Sequence, residues 1–110
     1  MQRALVARVR RCRAPGLLFF HVPNGLWLTD AVGAWMVEMG VKAGMVDLVF
    51  ALPGRVLCLE LKAEDGELRD AQLEARKEIV GVMWGWAVRD TLESATELLV
   101  ECGFIRPGKW

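Results

Sequence analysis

One histidine and three scattered cysteines are all the imidazole and thiol groups that this sequence has. Cys12, Cys58 and Cys102 lie far apart, and no Cys-x-x-Cys occurs. That excludes the spacings of a zinc site. An odd cysteine count without a secretion signal fits a reducing compartment, and all three thiols are expected to be buried. Long apolar runs are missing as well, since none approaches the ~20 residues that a membrane helix needs. The start, MQRALVARVRRCR, lacks the continuous apolar segment of a signal peptide. It is amphipathic and Arg-rich like a transit peptide, but it runs straight into a strand pattern. Net charge is absent: 14 basic residues balance 14 acidic ones. Only a local cluster of charge can therefore attract a polyanion. No repeat or low-complexity segment appears.

Apolar residues are abundant, at 54% of the 110. That is too many for disorder and enough for a real core, and one domain over residues 1–110 is expected. Leu5, Val9 and Cys12 recur at helical spacing, and the helix they predict stops at Pro15-Gly16. LLFFHV reads as a buried strand stopped by PNG. AVGAWMVEM, after a Thr29 or Asp30 cap, reads as a short helix ending at Gly40. MVDLVFAL and VLCLELKA read as two strands joined at Pro53-Gly54. AQLEARKEIVGVM predicts a helix whose apolar side includes Leu73, Val80, Ile79 and Met83. WGWAVR predicts a strand, and TLESATELLVEC a final helix capped by Thr91 and closed at Gly103. Strands that first run together and then alternate with helices imply an α/β chain of α+β character. Its mixed sheet has an antiparallel meander followed by a crossover to a parallel strand.

Three charges interrupt the most apolar part of the chain, VDLVFALPGRVLCLELKAEDG. A turn centred between Pro53 and Gly54 sets Val49 opposite Cys58 and Asp47 opposite Glu60. Opposed residues of an antiparallel pair share a face, with Cβ atoms ~4.5–5.5 Å apart. Lys62, two residues beyond Glu60, shares that face too. A slip of one residue would send Asp47 to the other face, so the placement depends on the turn. Two carboxylates this close repel unless a proton or a cation lies between them. A hard divalent cation such as Mg2+ takes oxygen ligands and commonly uses only one or two carboxylates. The bland alternative is an ion pair of Lys62 with Glu60 or Asp47 at the sheet rim, and a lone Asp…Glu-x-Lys pattern occurs often by chance.

The neighbouring motifs narrow this. Asp47, Glu60 and Lys62 on adjacent strands resemble the PD-(D/E)xK nuclease superfamily. HVPNG (residues 21–25), GVKAGMVDLVF (40–50), LELKAEDGEL (59–68) and Gln72 resemble its virus-type replication-repair nuclease (VRR-NUC) domain. Order and spacing fit over residues 2–103, and the four motifs together are specific where each alone is weak. The resemblance implies a restriction-endonuclease-like α-β-β-β-α-β core with an extra short helix and a C-terminal helix. It implies a metal-dependent DNA phosphodiesterase. Asp47, Glu60 and the backbone carbonyl of Leu61 would hold Mg2+ or Mn2+. Lys62 would orient or activate the attacking water, and Gln72 would support the lysine or the water. Stand-alone members are similar to Holliday-junction resolvases and work as homodimers on branched DNA, junction or flap. The resemblance implies no small-molecule cofactor and no membrane, and the cytoplasm of a bacterial or phage-infected cell as the location.

Asn24 would lie near the site, although Asn-Gly is also an ordinary turn. Lys42 and Gly44 would contact the DNA backbone, a glycine allowing close approach to phosphate, or else Lys42 is a solvated lysine. Arg8 and Arg11 would either add phosphate contacts or belong to a solvated helix face. His21 is expected to be packed or hydrogen-bonded, and Trp84 and Trp86 to join the core or else to form part of a dimer surface. The chain departs from the family pattern in four places. Val46 replaces a proline. Arg69-Asp70 replaces Ser-Pro, with Asp70 available as a helix cap. LWLTD has no arginine after Asn24-Gly25. No acid precedes Asp30, where the family's first helix usually carries a glutamate; Gln2 is the nearest polar residue. The alternative function is therefore a catalytically impaired DNA-binding module of the same fold.

Overall fold

The computed structural model describes residues 1–23, 30–62, 66–108 and 110. Among these, the chain runs α1 (Gln2–Cys12), β1 (Leu18–His21), α2 (Asp30–Glu38), β2 (Leu48–Leu52), β3 (Arg55–Leu61), α3 (Asp70–Gly81), β4 (Gly85–Arg89) and α4 (Leu92–Glu101). The sheet order is β1-β2-β3-β4. The first three strands pair antiparallel, and β4 joins β3 in parallel after the α3 crossover. This is the meander-then-crossover that the order of elements predicts. Among the described residues no helix is long and apolar enough to cross a membrane.

The hairpin turn sets the register. Pro53 supplies the fixed φ of the first turn position, and Gly54 at φ 77° supplies the positive φ of the second. Val49 then pairs with Cys58, and Leu48 with Leu59. Each face of the hairpin has its own helical cover. Leu48, Phe50, Leu57 and Leu59 pack with Leu5 and Val9 of α1, with Ala95 and Leu99 of α4, and with Phe104. Val49 and Cys58 pack on the other face with Val46 and with Ala75 and Ile79 of α3. Phe50 is fully buried, and its ring stacks on Phe19 (6.0 Å, 12°) and tilts against Phe104 (5.9 Å). Thr91 caps α4 by accepting the Ser94 N–H at 3.1 Å.

Several local expectations are corrected. α3 buries Ala75 and Ile79, whereas Leu73 and Val80 point to solvent; its small residues, not its large ones, meet the sheet. The helix also stops before Met83. The Met83 N–H donates to Val80 O at 3.0 Å, and the Trp84 N–H donates to Ile79 O at 3.2 Å. This is the Schellman pattern, with Met83 at φ 65° in the place glycine usually takes. Trp84 consequently falls outside β4 and is exposed, while Trp86 is partly buried under the Arg76 guanidinium, 4.8 Å from its ring centroid. Of the three thiols only Cys58 is buried, and burial pushes its pKa up to about 11. Cys12 and Cys102 are partly exposed.

Met83 is 91% exposed, so its side chain contributes little packing to offset its backbone strain. Met83→Gly is expected to raise the unfolding free energy by about 0.5–1 kcal/mol, the penalty of a left-handed non-glycine residue less glycine's entropy. Urea denaturation of the two proteins measures it; an unchanged or lower midpoint contradicts this account of the helix end.

Candidate metal-binding and nucleolytic site

Asp47 immediately precedes β2, between the buried side chains of Val46 and Leu48. Its carbonyl oxygen accepts the Val22 N–H at 2.9 Å, which ties it to the end of β1. Its carboxylate Oδ2 accepts the Leu61 N–H at 2.8 Å. That bond carries the β2–β3 contact one step past the last backbone pair. N–H and C=O of one strand residue face the same neighbour. The Leu61 carbonyl therefore lies on the Asp47 side of β3.

Glu60 is 6% exposed, on the α3 face of the sheet, with its carboxyl group against that of Asp47. Burial, and then the Asp47 charge and their mutual hydrogen bond, push its pKa from 4.5 to about 7. The pair thus keeps a proton well into the neutral range. Two cations oppose this rise, Lys62 and Arg69. Lys62 follows β3 directly, and its N–H donates to Arg89 O at 3.0 Å. Among the described residues its ammonium forms no ion pair within 4.0 Å. The rim salt bridge offered by the sequence is not formed.

The donors gathered here are oxygens: two carboxylates and a strand carbonyl. They fit a hard divalent cation, which would take the place of the proton that the pair otherwise shares. Among the described residues no group of three or more His, Cys, Asp or Glu side chains is assembled for a metal. Gln2, the polar residue nearest the place of the expected first-helix acid, has its Nε2 3.0 Å from His21 Nδ1. That nitrogen is 2.8 Å from the Asp47 carbonyl oxygen. The start of α1 therefore reaches the site through His21, with a neutral side chain.

Gln72 lies in the first turn of α3. Its Oε1 accepts the Arg69 N–H at 2.8 Å, so it caps the helix by reaching back. Asp70, expected to cap, is instead the first helical residue. Gly44, at φ 73°, makes its close approach to protein and not to open space for a phosphate. A Cβ there would lie 2.1 Å from Ala71 O and 2.6 Å from Gln72 N. Lys42 is held by Glu78 of α3. Arg8 donates to Thr96 Oγ1 at 3.1 Å, pairs with Glu93 at 3.6 Å and stacks on Trp110, all on the α1–α4 side. Arg8 is thus engaged between α1 and α4, whereas Lys42 stays exposed in its ion pair with Glu78. Arg11 is exposed in the last turn of α1. Asn24 lies outside the described residues. Sequence reasoning missed Arg69 as a member of the site; its signal was present, as the basic residue standing where the family has Ser-Pro.

A solved structure described as a VRR_NUC domain protein matches this chain with a TM-score of 0.73, over 98% of this chain and 87% of that one, at 19% identity. The chain has a VRR-NUC fold. Its four-stranded mixed sheet and helices are the PD-(D/E)xK-like arrangement expected from the motifs. No family model and no curated protein sequence matches it.

A carboxyl with a raised pKa binds its proton more tightly in the folded state than in the unfolded one. Stability therefore falls as pH rises from about 4.5 to about 7. In EDTA the loss is expected to reach roughly 3 kcal/mol at most, at 1.36 kcal/mol per pKa unit. Glu60→Gln should flatten this part of the stability profile. Parallel profiles for the two proteins would mean that Glu60 does not carry the buried proton.

Proposed function

We propose that this protein is a Mg2+- or Mn2+-dependent DNA phosphodiesterase, a structure-selective endonuclease acting on branched DNA. The observation that carries this reading is the Asp47–Glu60 carboxyl pair, with Glu60 buried, across the β2–β3 hairpin of a VRR-NUC fold, and Lys62 acting on it. Asp47, Glu60 and the Leu61 carbonyl would hold the cation. When bound, it supplies charge for the phosphate oxygens and acidity for a coordinated water. Lys62 orients the attacking water, and its ammonium steadies the negative charge that develops on the phosphate. Gln72 positions: its oxygen caps α3, and its NH2 group remains to hold a water or the lysine. Branched DNA and a homodimer are the resemblance's contribution. A junction has approximate two-fold symmetry, and paired incisions need two sites. The exposed Leu18 and Phe20 on edge strand β1 offer apolar surface for a second copy.

A second reading, a DNA-binding module without turnover, is favoured by the neutral Gln2–His21 contact where an acid would complete the ligand set. The two separate cleanly. Wild type is expected to cut junction or flap DNA with Mg2+ or Mn2+ and not in EDTA. Asp47→Ala should abolish cutting, and Lys62→Ala should slow it by about 10²-fold or more. Mn2+ at 100 times its Kd should stabilise the wild type by about 2.7 kcal/mol and should not stabilise Asp47→Ala. Salt-dependent binding without any metal-dependent cleavage selects the second reading. Equal cleavage by wild type and Lys62→Ala removes the proposed chemistry.

Sedimentation at micromolar concentration tests the assembly. A dimer is expected; a monomer contradicts paired incision and points to flap or nick processing by single molecules.

A further inference from the structure

We propose that Arg69 is a second phosphate-contacting cation of this site, a catalytic residue that works beside Lys62 on the strand being cut. The proposal rests on the nuclease reading above. Four observations carry it.

The first is placement. Arg69 is the residue before α3, and the first turn of that helix is locked against the site. Gly44, three residues before Asp47, presses its backbone onto Ala71 and Gln72. Gln72 holds the Arg69 N–H itself. The backbone that carries the guanidinium is therefore held relative to the carboxylate pair.

The second is availability. Arg8, Arg13, Arg55 and Arg89 each donate to an oxygen of the protein. Arg76 lies over the Trp86 ring. Arg69 is exposed, and among the described residues its side chain makes no hydrogen bond, ion pair or ring contact. A guanidinium with five donors and no acceptor among the described residues is open to a planar, bidentate oxyanion.

The third is direction. α3 covers the sheet face that carries Cys58, and Glu60, two residues along β3, shares that face, so Arg69 at the start of α3 is carried by the helix that lies over the carboxylate side of the sheet.

The fourth is charge. Two carboxylates balance one divalent cation. Attack of hydroxide on a phosphodiester gives a phosphorane-like transition state with two negative charges. Lys62 alone meets one of them. Among the described residues no third acid joins Asp47 and Glu60 to attract a further metal ion. Arg69 meets the second charge, and a site with fewer acids can stabilise the transition state with side-chain cations.

The test uses Arg69→Ala and Arg69→Lys in the full chain, with Arg106→Ala as the control on an exposed arginine beyond α4. Two quantities are read. The first is kcat and KM for branched DNA at saturating Mg2+. The second is the slope of log Kd against log salt for the same DNA in EDTA. Arg69→Ala is expected to lower kcat by about 10²-fold with KM nearly unchanged, and to reduce the salt slope by about one. Arg69→Lys keeps the charge but loses bidentate geometry, so it should restore the slope and only part of kcat. Arg106→Ala should change neither. Arg69→Ala with wild-type kcat and an unchanged slope overturns the proposal. If the wild type shows no metal-dependent cleavage, the nuclease reading fails on its own. Arg69 is then decided by binding alone: a slope lower by about one upholds the phosphate contact, and an unchanged slope overturns it.

Discussion

Two carboxyl groups pressed together at the end of a buried hairpin are the constraint on which the rest of this structure depends. Once both are ionised, Asp47 and Glu60 would separate if either strand were free to move, because their charges repel and burial penalises that of Glu60. They are held by backbone. The Leu61 N–H is fixed to Asp47 Oδ2, Val22 to the Asp47 carbonyl, and Lys62 to Arg89 across the parallel pairing. The apolar hairpin behind them cannot slip, because one step of register would turn Phe50 and Leu57 out of one core and Val49 and Cys58 out of the other. The energy that holds the charges together is thus supplied mainly by side chains that carry none.

The two faces of the sheet divide the work. α1 and α4 close one face around Phe50, Leu59 and Leu99, and Arg8 bridges those helices through Thr96 and Glu93. α3 covers the other face lightly, with Ala75 and Ile79, and its first turn runs beside the carboxylates. A bulkier contact at Gly44 would move that turn away from Asp47. The local field is mixed: two acids at the strand ends, the opposing charges of Lys62 and Arg69, and a Glu60 carboxyl that keeps its proton up to about pH 7 when no metal ion is bound. Such a pair is poised to exchange that proton for a cation near neutral pH.

The carboxylate pair was legible because its placement follows from strict period-two geometry and a turn whose residues announce it. Asp47 opposite Glu60 needs only Pro53-Gly54 at the apex. Contacts between elements distant in the chain were less legible. Gly44 looked like a glycine opened for phosphate, yet α3 fills that space. Lys42 and Arg8 looked available, yet Glu78 and Thr96 lie where their side chains reach. Leu73 and Val80 looked like the buried side of α3, but helical periodicity marks several stripes, and only the packed sheet selects Ala75 and Ile79. Trp84 looked like a strand residue until Met83 took the left-handed conformation that ends the helix.

By itself the sequence determined the order of elements, the hairpin register, and the convergence of Asp47, Glu60 and Lys62. These follow from local periodicity, turn chemistry and short-range pairing along a single hairpin. Only the tertiary structure decided that Glu60 is buried enough to hold a proton, that Lys62 forms no ion pair among the described residues, and that the Arg69 charge reaches Glu60. It also decided that Gln2 meets the site through His21. Burial and electrostatic coupling depend on which surfaces α1 and α3 present to the sheet, and no period in the chain encodes that choice.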